Sequence, residues 1–153
     1  MEEKVKGLIE KAEKLLVELK EVISSKKFIE SNRFKILADG WVFDKALGID
    51  WAPSSQKKFD WEGAKKYAAE QGGQLPTVKE LRSLVDYDKH NPAIDTQFFS
   101  DTKTDDWYWT GTEVAGYSGS AWRVGFYLGL VDYCGKVDGI YVRPCRASQC
   151  LII

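Results

Sequence analysis

The sequence predicts an α+β fold, in which an amphipathic helix precedes a domain of two short helices and antiparallel strands. Three observations predict it. Apolar residues recur at steps of three and four near the N-terminus, the period falls to two from Phe34, and two capped helical segments precede a strand-rich second half. Helices and strands that occur in separate runs are typical of α+β domains. We therefore expect a helix at residues 1–30, for docking or oligomerisation, and one domain at residues 31–153.

The first segment has the pattern of an amphipathic helix. Its apolar positions are Val5, Leu8, Ala12, Leu15, Leu19 and Val22, with Ile9, Leu16 and Ile23 as a third position in each heptad. A stripe of this width favours a bundle, or a helix docked on a domain, over a two-stranded coil. Because an isolated helix of this length is marginal in water, it needs a partner surface, either on the same chain or on a second copy.

The next segments read as strands. Residues 34–37 have a strand pattern, and residues 40–44 and 49–52 predict a hairpin around the short loop that ends at Gly48.

Two helices should follow, each with its own end signals. The first begins after Asp60, an N-cap residue, and ends at Gly72-Gly73. The second opens with Thr77 and Glu80 at the spacing of a capping box, and we expect it to continue through Leu81, Leu84 and Val85 to Asn91-Pro92.

One later strand divides its side chains between two faces. Trp122, Val124 and Phe126 alternate with Arg123, Gly125 and Tyr127. The first set suits a core, and the second set mixes a cation, a glycine and an amphipathic ring. We therefore expect the first set inside and the second set outside.

The segments around this strand are rich in Tyr, Ser, Gly and Asp. Tyr offers rigid contact area, and Ser and Gly offer adaptable polar contacts, as in antibody paratopes. Turns in a β-rich domain would have a similar composition, so both interpretations stay open here.

Ordered motifs between residues 34 and 146 carry a family resemblance. They include Gly40-Trp41-Val42-Phe43-Asp44, Trp61-Glu62-Gly63-Ala64, Leu75-Pro76-Thr77, Tyr108-Trp109-Thr110-Gly111-Thr112-Glu113, Ala121-Trp122 and Tyr141-Val142-Arg143-Pro144. The set resembles the family of the C-terminal domain of a Legionella collagen-like adhesin. This resemblance implies a C-type-lectin-like fold akin to that of formylglycine-generating enzymes. One departure is Gly73-Gln74, where the family usually has Trp-Arg before Leu-Pro.

Members of this family often serve as variable proteins of diversity-generating retroelements, which rewrite codons between fixed framework residues. The resemblance implies that the displayed, ligand-binding positions here are Val114, Tyr117, Ser118, Arg123, Gly125, Tyr127, Leu128, Leu130, Asp132, Tyr133, Cys134, Val137 and Asp138. We expect Tyr117, Arg123, Tyr127 and Tyr133 to be the main anchors. The expected partner is a protein or another cell-surface molecule, and the origin of the chain is expected to be viral or microbial.

Composition, net charge and the length of the apolar runs limit which partners and which cellular location we expect. The chain has 153 residues, 44% hydrophobic and 13% aromatic, which suffices for one core. Its net charge of −1 indicates no basic face, so we expect no nucleic-acid partner. Apolar runs are too short for a membrane span, and residues 1–4 lack the layout of a signal peptide. We expect synthesis in the cytoplasm, with virion association or release left open.

The same fold also occurs in enzymes and in glycan-binding proteins. An enzyme akin to the formylglycine-generating group is disfavoured, because Cys134, Cys145 and Cys150 do not match that group's cysteine pair and His90 is the only histidine. A Cys145–Cys150 disulfide is conceivable, but three thiols in a reducing compartment fit the odd count better. A glycan-binding adhesin or lectin is the main alternative. Asp101, Asp105 and Asp106 are too few to predict a calcium site, so no metal, cofactor or catalytic residue is expected.

Overall fold

The computed structural model of this protein describes residues 1–26 and 30–150. Its elements are, in order, α1 (Glu2–Lys26), β1 (Phe34–Ile36), β2 (Val42–Asp44), β3 (Ile49–Trp51), α2 (Trp61–Glu70), α3 (Val78–Arg82), β4 (Tyr108–Val114), β5 (Tyr117–Gly125), β6 (Leu130–Gly135) and β7 (Cys145–Ala147). The predicted α+β class is confirmed, and every strand pairing between these elements is antiparallel.

The first sheet joins both ends of the domain. Its strand order is β1-β2-β3-β7, so β7 closes the sheet against β3, with Trp51 opposite Cys145. Asp44 at the end of β2 is fully buried, and its carboxylate accepts hydrogen bonds from the Arg33 guanidinium at 2.8 and 3.0 Å and from the indole of Trp51 at 3.0 Å. A buried carboxylate is stable in this place because charged and neutral donors satisfy it.

Both short helices begin where their capping residues predict. The Asp60 carboxylate accepts from the Gly63 amide, and the Thr77–Glu80 capping box forms with both of its hydrogen bonds, at 3.1 and 2.8 Å. The second helix is shorter than predicted, since α3 ends at Arg82. Beyond this point the Ser83 carbonyl accepts from the Arg33 guanidinium at 2.9 Å, so a hydrogen bond from another segment replaces the next helical one.

The second sheet, in the order β4-β5-β6, has core on both of its faces. Tyr108 and Val124 are register partners and lie in one apolar cluster with Phe126. Trp109 and Ala121 belong to a second cluster, which includes Trp61 of α2. Both faces are therefore partly covered, whereas the alternation in β5 had suggested one covered face and one free face.

The long helix α1 lies outside both cores. Six apolar residues of its stripe are 51–66% exposed, namely Val5, Leu8, Ile9, Leu15, Leu16 and Leu19. The side chain of Ile23, which belongs to the predicted stripe, lies outside the described residues. Of the two partners that the sequence left open, the chain's own domain does not cover the stripe in this structure.

Candidate functional site

The hairpin between β5 and β6 is the best-defined part of the candidate surface. Gly125 pairs with Leu130, and the Gly129 amide donates to the Gly125 carbonyl at 3.1 Å, which closes the tip. Gly129 has φ +86°, and a Cβ there would lie 2.4 Å from Cγ1 of Val85. Only glycine satisfies both conditions, so position 129 belongs to the fixed framework.

Main-chain hydrogen bonds hold this tip to the loop at residues 91–93. The Ala93 amide donates to the Phe126 carbonyl and the Asn91 amide donates to the Tyr127 carbonyl, both at 2.7 Å. The Phe126 side chain is fully buried against Tyr108, with ring centroids 5.6 Å apart. The next side chain, Tyr127, is 52% exposed. Position 127 thus displays its side chain on a backbone that its neighbours hold in place.

The register of β5 and β6 shows which side chains share a face. Trp122 is opposite Tyr133, and Val124 is opposite Val131, so Tyr133 lies on the same face as the buried Val124. At the end of that face the core stops, and Trp122 is only partly buried. The expectation that Trp122 is an inner core residue therefore needs correction. Tyr133 packs edge-on against it and stays 52% exposed.

Arg123 occupies the other face and is less displayed than predicted, since only 20% of its side chain is exposed. Its guanidinium stacks on the Trp107 ring at 4.3 Å from the centroid, and one of its nitrogens lies 3.5 Å from the Asp132 carboxylate. Nε of Arg123 is buried without a hydrogen-bond partner. The stacking and the contact with Asp132 hold the guanidinium in one position, so the Arg123 cation is preorganised.

Gly125 was predicted to be displayed, and this prediction is wrong because the residue is buried. A Cβ at this position would lie 3.0 Å from the Trp107 ring, so the indole packs directly over the strand. Gly125 instead forms part of the wall of an open pocket of about 220 Å³. Its lining comprises Thr104, Asp105, Asp106, Trp107, Gly125, Tyr127, Leu128 and Leu130.

The pocket joins displayed residues to ones that were not among the predicted ligand-binding positions. Leu128 and Leu130 are 54% and 55% exposed and supply its apolar side. Asp105 and Asp106 supply an acidic side, and the Lys58 ammonium lies 2.9 Å from the Asp106 carboxylate. The hydrogen bond to Asp106 is the main reason that the pKa of Lys58 is raised. Trp107 was missed because one indole next to a strand carries no signal of what it covers.

The other predicted positions lie in the β4–β5 hairpin, in β6 and in the loop after β6. Val114 pairs with Tyr117 in the β4–β5 hairpin, which turns at Gly116 with φ +82°. Tyr117 is 69% exposed and Val137, beyond β6, is 88% exposed. Ser118, Asp132 and Asp138 are exposed as well. Without the buried Gly125, the predicted residues therefore form a band along the end of β4, β5, β6 and their turns. Asp132 lies on one face of the sheet and Tyr133 on the other, so the band is not one compact patch.

The three cysteines are free thiols, and Cys145 and Cys150 do not pair. Burial raises the pKa of Cys145 to about 12. Burial is also the largest influence on the half-buried Cys134, and its pKa is raised. Neither thiol has the depressed pKa that marks a reactive cysteine.

The aspartates considered as cation ligands have other partners. Asp101 lies 2.9 Å from the buried Arg143 guanidinium, and Asp105 accepts from the Tyr141 hydroxyl at 3.2 Å. Within residues 1–26 and 30–150, no three His, Cys, Asp or Glu side chains come together as a metal site would require. His90 is exposed.

Comparison with known proteins places this chain in a family. No curated protein and no solved structure matches it. Among the described residues, no helix has the length and apolar character needed to cross a membrane. The model of the Lcl C-terminal domain, a C-type-lectin-like family, matches residues 40–146, which is well over half of the chain. The chain therefore belongs to the Lcl C-terminal domain family, as its ordered motifs predicted.

Proposed function

We propose that this protein is a non-catalytic ligand-binding protein whose displayed surface can be diversified, as in the variable proteins of diversity-generating retroelements. Its ligand is a protein or another macromolecule of a cell surface. The observation that carries the proposal is the contrast at the hairpin tip. Phe126 is fully buried, whereas Tyr127 is 52% exposed on a main chain that is hydrogen-bonded to Asn91. Such a position tolerates many side chains while the backbone stays in place.

Large exposed apolar side chains support a macromolecular ligand. Among the described residues outside α1, most of them lie in the band, namely Tyr117 at 69%, Tyr127 at 52%, Leu128 at 54%, Leu130 at 55%, Tyr133 at 52% and Val137 at 88%. Three of them, Tyr127, Leu128 and Leu130, line the same pocket. Clustered exposed apolar side chains on a folded domain usually mark an interaction site. Tyrosines and an arginine are also the residues in which binding energy concentrates at protein interfaces.

The pocket beside Trp107 offers an anchor point within this band. It has an aromatic and aliphatic side from Trp107 and Leu130 and an acidic side from Asp106. A volume of about 220 Å³ accommodates one side chain of a partner rather than a large cofactor. One side chain inserted in a pocket, surrounded by weaker contacts, is the usual arrangement of an interface hot spot.

A binding role also agrees with the state of the cysteines. A formylglycine-generating-like reaction needs a reactive thiol, and the thiolate is the reactive form. Cys145 lies inside the terminal motif, is buried, and has a pKa of about 12. It is therefore almost entirely protonated at neutral pH.

Two libraries test the proposal directly. One randomises Tyr117, Tyr127, Leu128, Leu130 and Tyr133, and the control library randomises the buried Tyr108, Val124, Phe126, Ile140 and Val142. We expect the first library to keep the wild-type thermal midpoint in most members and to yield binders when selected on a protein target. The control library should lose folding. Loss of folding in both libraries, or no binder from a folded displayed library, contradicts the proposal.

The genome gives an independent test of the retroelement assignment. A reverse-transcriptase gene and a near-identical template copy of the codons for residues 114–138 should lie beside this gene. Substitutions between the two copies should fall on adenines and spare the codons for Trp122 and Phe126. The absence of both the reverse-transcriptase gene and the template copy contradicts the retroelement assignment. The binding role is then tested by the two libraries alone.

A glycan-binding adhesin is the second candidate, because the family is named after an adhesin-type domain and the pocket combines Trp107 with Asp105 and Asp106. Stacking of a sugar ring on an indole, with carboxylates that accept from its hydroxyls, is chemically suited to this pocket. Binding to a glycan array, with and without a chelator, separates this candidate from a protein-directed one. A chelator-resistant glycan signal that disappears in Trp107→Ala favours the adhesin.

A further inference from the structure

The apolar stripe of α1 is exposed, and the proposed function does not use it. Its positions Val5, Leu8, Ala12, Leu15 and Leu19 follow one another at steps of three and four. The four large side chains among them are 55–66% exposed. At about 25 cal/mol per Å² of apolar surface, leaving such a row in water is unfavourable. A helix of this length also needs packing to be stable. A second surface must therefore cover the stripe.

The spacing of the stripe indicates how many helices it serves. One heptad seam runs through Leu8 and Leu15, and another runs through Ile9 and Leu16. Both seams share the positions of Val5, Ala12 and Leu19. A helix with two adjacent seams contacts two neighbours, whereas a helix in a two-stranded coil needs only one seam. The pattern therefore favours three or more helices, with the small Ala12 in the middle of the shared row.

The charges of α1 favour another protein helix over a lipid surface. Residues 2–26 contain equal numbers of Glu and Lys, at positions 2, 3, 10, 13, 18 and 21 for Glu and 4, 6, 11, 14, 20 and 26 for Lys. Helices that lie on anionic membranes carry an excess of basic residues on the polar face. A balanced face with alternating signs is typical of helices that pack on one another.

The two flanks of the stripe are complementary in a parallel ring. With identical registers, the flank with Lys11 and Glu18 faces the flank with Glu13 and Lys20 of the next helix. Lys11 then lies level with Glu13, and Glu18 with Lys20. Only Lys4 and Lys6, near the N-terminus, meet as like charges. A head-to-tail contact of this kind closes into a ring of copies.

We propose that α1 is a self-association helix, and that three or more copies of this chain form a parallel bundle through it. All the lectin-like domains then extend from the same end of the bundle. Several ligand-binding bands on one particle convert weak single contacts into avid attachment to a surface that carries many copies of the ligand. The self-association itself does not depend on the proposed ligand-binding function.

Sedimentation of the full chain tests the bundle. The wild-type protein should sediment at three or more times its monomer mass of 17.4 kDa. Leu15→Glu places a charge in the stripe and should give a monomer. The matched control is Val17→Glu, because Val17 is 55% exposed but lies about 140° from the centre of the stripe. The control should sediment like the wild type, and thermal unfolding of the domain should be unchanged in both variants.

Crosslinking tests the direction of the helices. In a Cys134→Ser, Cys150→Ser background, Leu8→Cys should form disulfide-linked dimers on oxidation, because parallel helices bring the same residue together. Glu10→Cys on the outer face is the control and should stay monomeric on a denaturing gel. A monomeric wild type, equal dissociation by both glutamate variants, or the absence of a Leu8→Cys crosslink overturns the proposal. Association only with lipid vesicles overturns it in favour of a membrane surface.

Discussion

Tyr133 stands edge-on against Trp122, with ring centroids 5.7 Å apart and ring planes at 81°. One residue belongs to the framework and the other to the displayed set, so the two sets touch at the margin of the core. Edge-to-face aromatic pairs contribute about 0.5–1.5 kcal/mol beyond the burial of their surface. Substitution at Tyr133 therefore carries a small folding cost, which substitution at Tyr127 does not.

Trp122 and Phe126 should differ in what they contribute to stability. Phe126→Ala empties a fully buried site and should lower the free energy of unfolding by about 3–5 kcal/mol. Trp122→Ala removes a partly buried side chain, and we expect a loss of about 1–3 kcal/mol. Urea unfolding followed by circular dichroism measures both values. A larger loss for Trp122→Ala would mean that the core extends to that end of the sheet.

Gly125→Ala should disturb Trp107 more than any other glycine substitution in β5. The new Cβ would lie 3.0–3.2 Å from the indole, so the ring must shift away from the strand. We expect a loss of about 1–3 kcal/mol in unfolding free energy and a changed environment of the indole in the fluorescence spectrum. Gly119→Ala is the control, because nothing lies within 4 Å of its Cβ. Equal effects of the two substitutions would place Trp107 elsewhere.

Acid sensitivity should depend on Asp101. Burial acts to raise the pKa of its carboxyl, but the charge and hydrogen bond of Arg143 and the amide of Ser54 outweigh burial, and the pKa is lowered. A carboxyl with a lower pKa in the folded state stabilises the fold above its unfolded pKa of about 3.9. This contribution is lost as the pH falls through the folded pKa.

Asp101→Asn tests this dependence. At pH 7 we expect the variant to be less stable by about 1–2 kcal/mol, since the carboxylate is partly exposed and screened. The difference between the two proteins should begin to shrink below about pH 4, where the Asp101 carboxyl of the unfolded chain takes up a proton, and should shrink further until the pH passes the lower pKa of the folded state. A difference that stays constant from pH 7 to pH 2 would exclude Asp101 from the acid response.

Thiol labelling should distinguish the cysteines of the folded protein. Cys145 is 1% exposed and has a pKa of about 12, so iodoacetamide at pH 8 should leave it unmodified for hours. Cys134 should react slowly, because it is half-buried and its pKa is also raised. In denaturant both should react at the same rate. Mass spectrometry of the intact and digested protein reads out each site.

Local signals predicted the start of each short helix and the first hairpin. The Thr77–Glu80 capping box and the Asp60 cap depend on groups three residues apart, and they form as the sequence predicts. Gly48, with φ +67°, ends the turn before β3. These features need no knowledge of the rest of the chain.

Features that depend on distant segments were predicted less well. The alternation in β5 assigned Arg123 and Gly125 correctly to one face, but did not reveal that Trp107 covers that face. In the same way, α3 stops at Arg82, and beyond it the Ser83 carbonyl accepts from Arg33, a residue before β1 that no local signal relates to this helix. Periodicity shows which side chains lie together on a face, whereas the covering of that face depends on tertiary contacts.

The anchoring of the hairpin tip makes the backbone shape at residue 127 independent of the side chain that it carries. The Asn91 amide holds the carbonyl of residue 127, an atom that every amino acid supplies, so a codon change there leaves the hydrogen bond intact. At residue 126 the buried ring itself fills space, and few alternatives fit. Codon changes at residue 127 should therefore alter the surface without altering the fold, whereas changes at residue 126 should be constrained by folding.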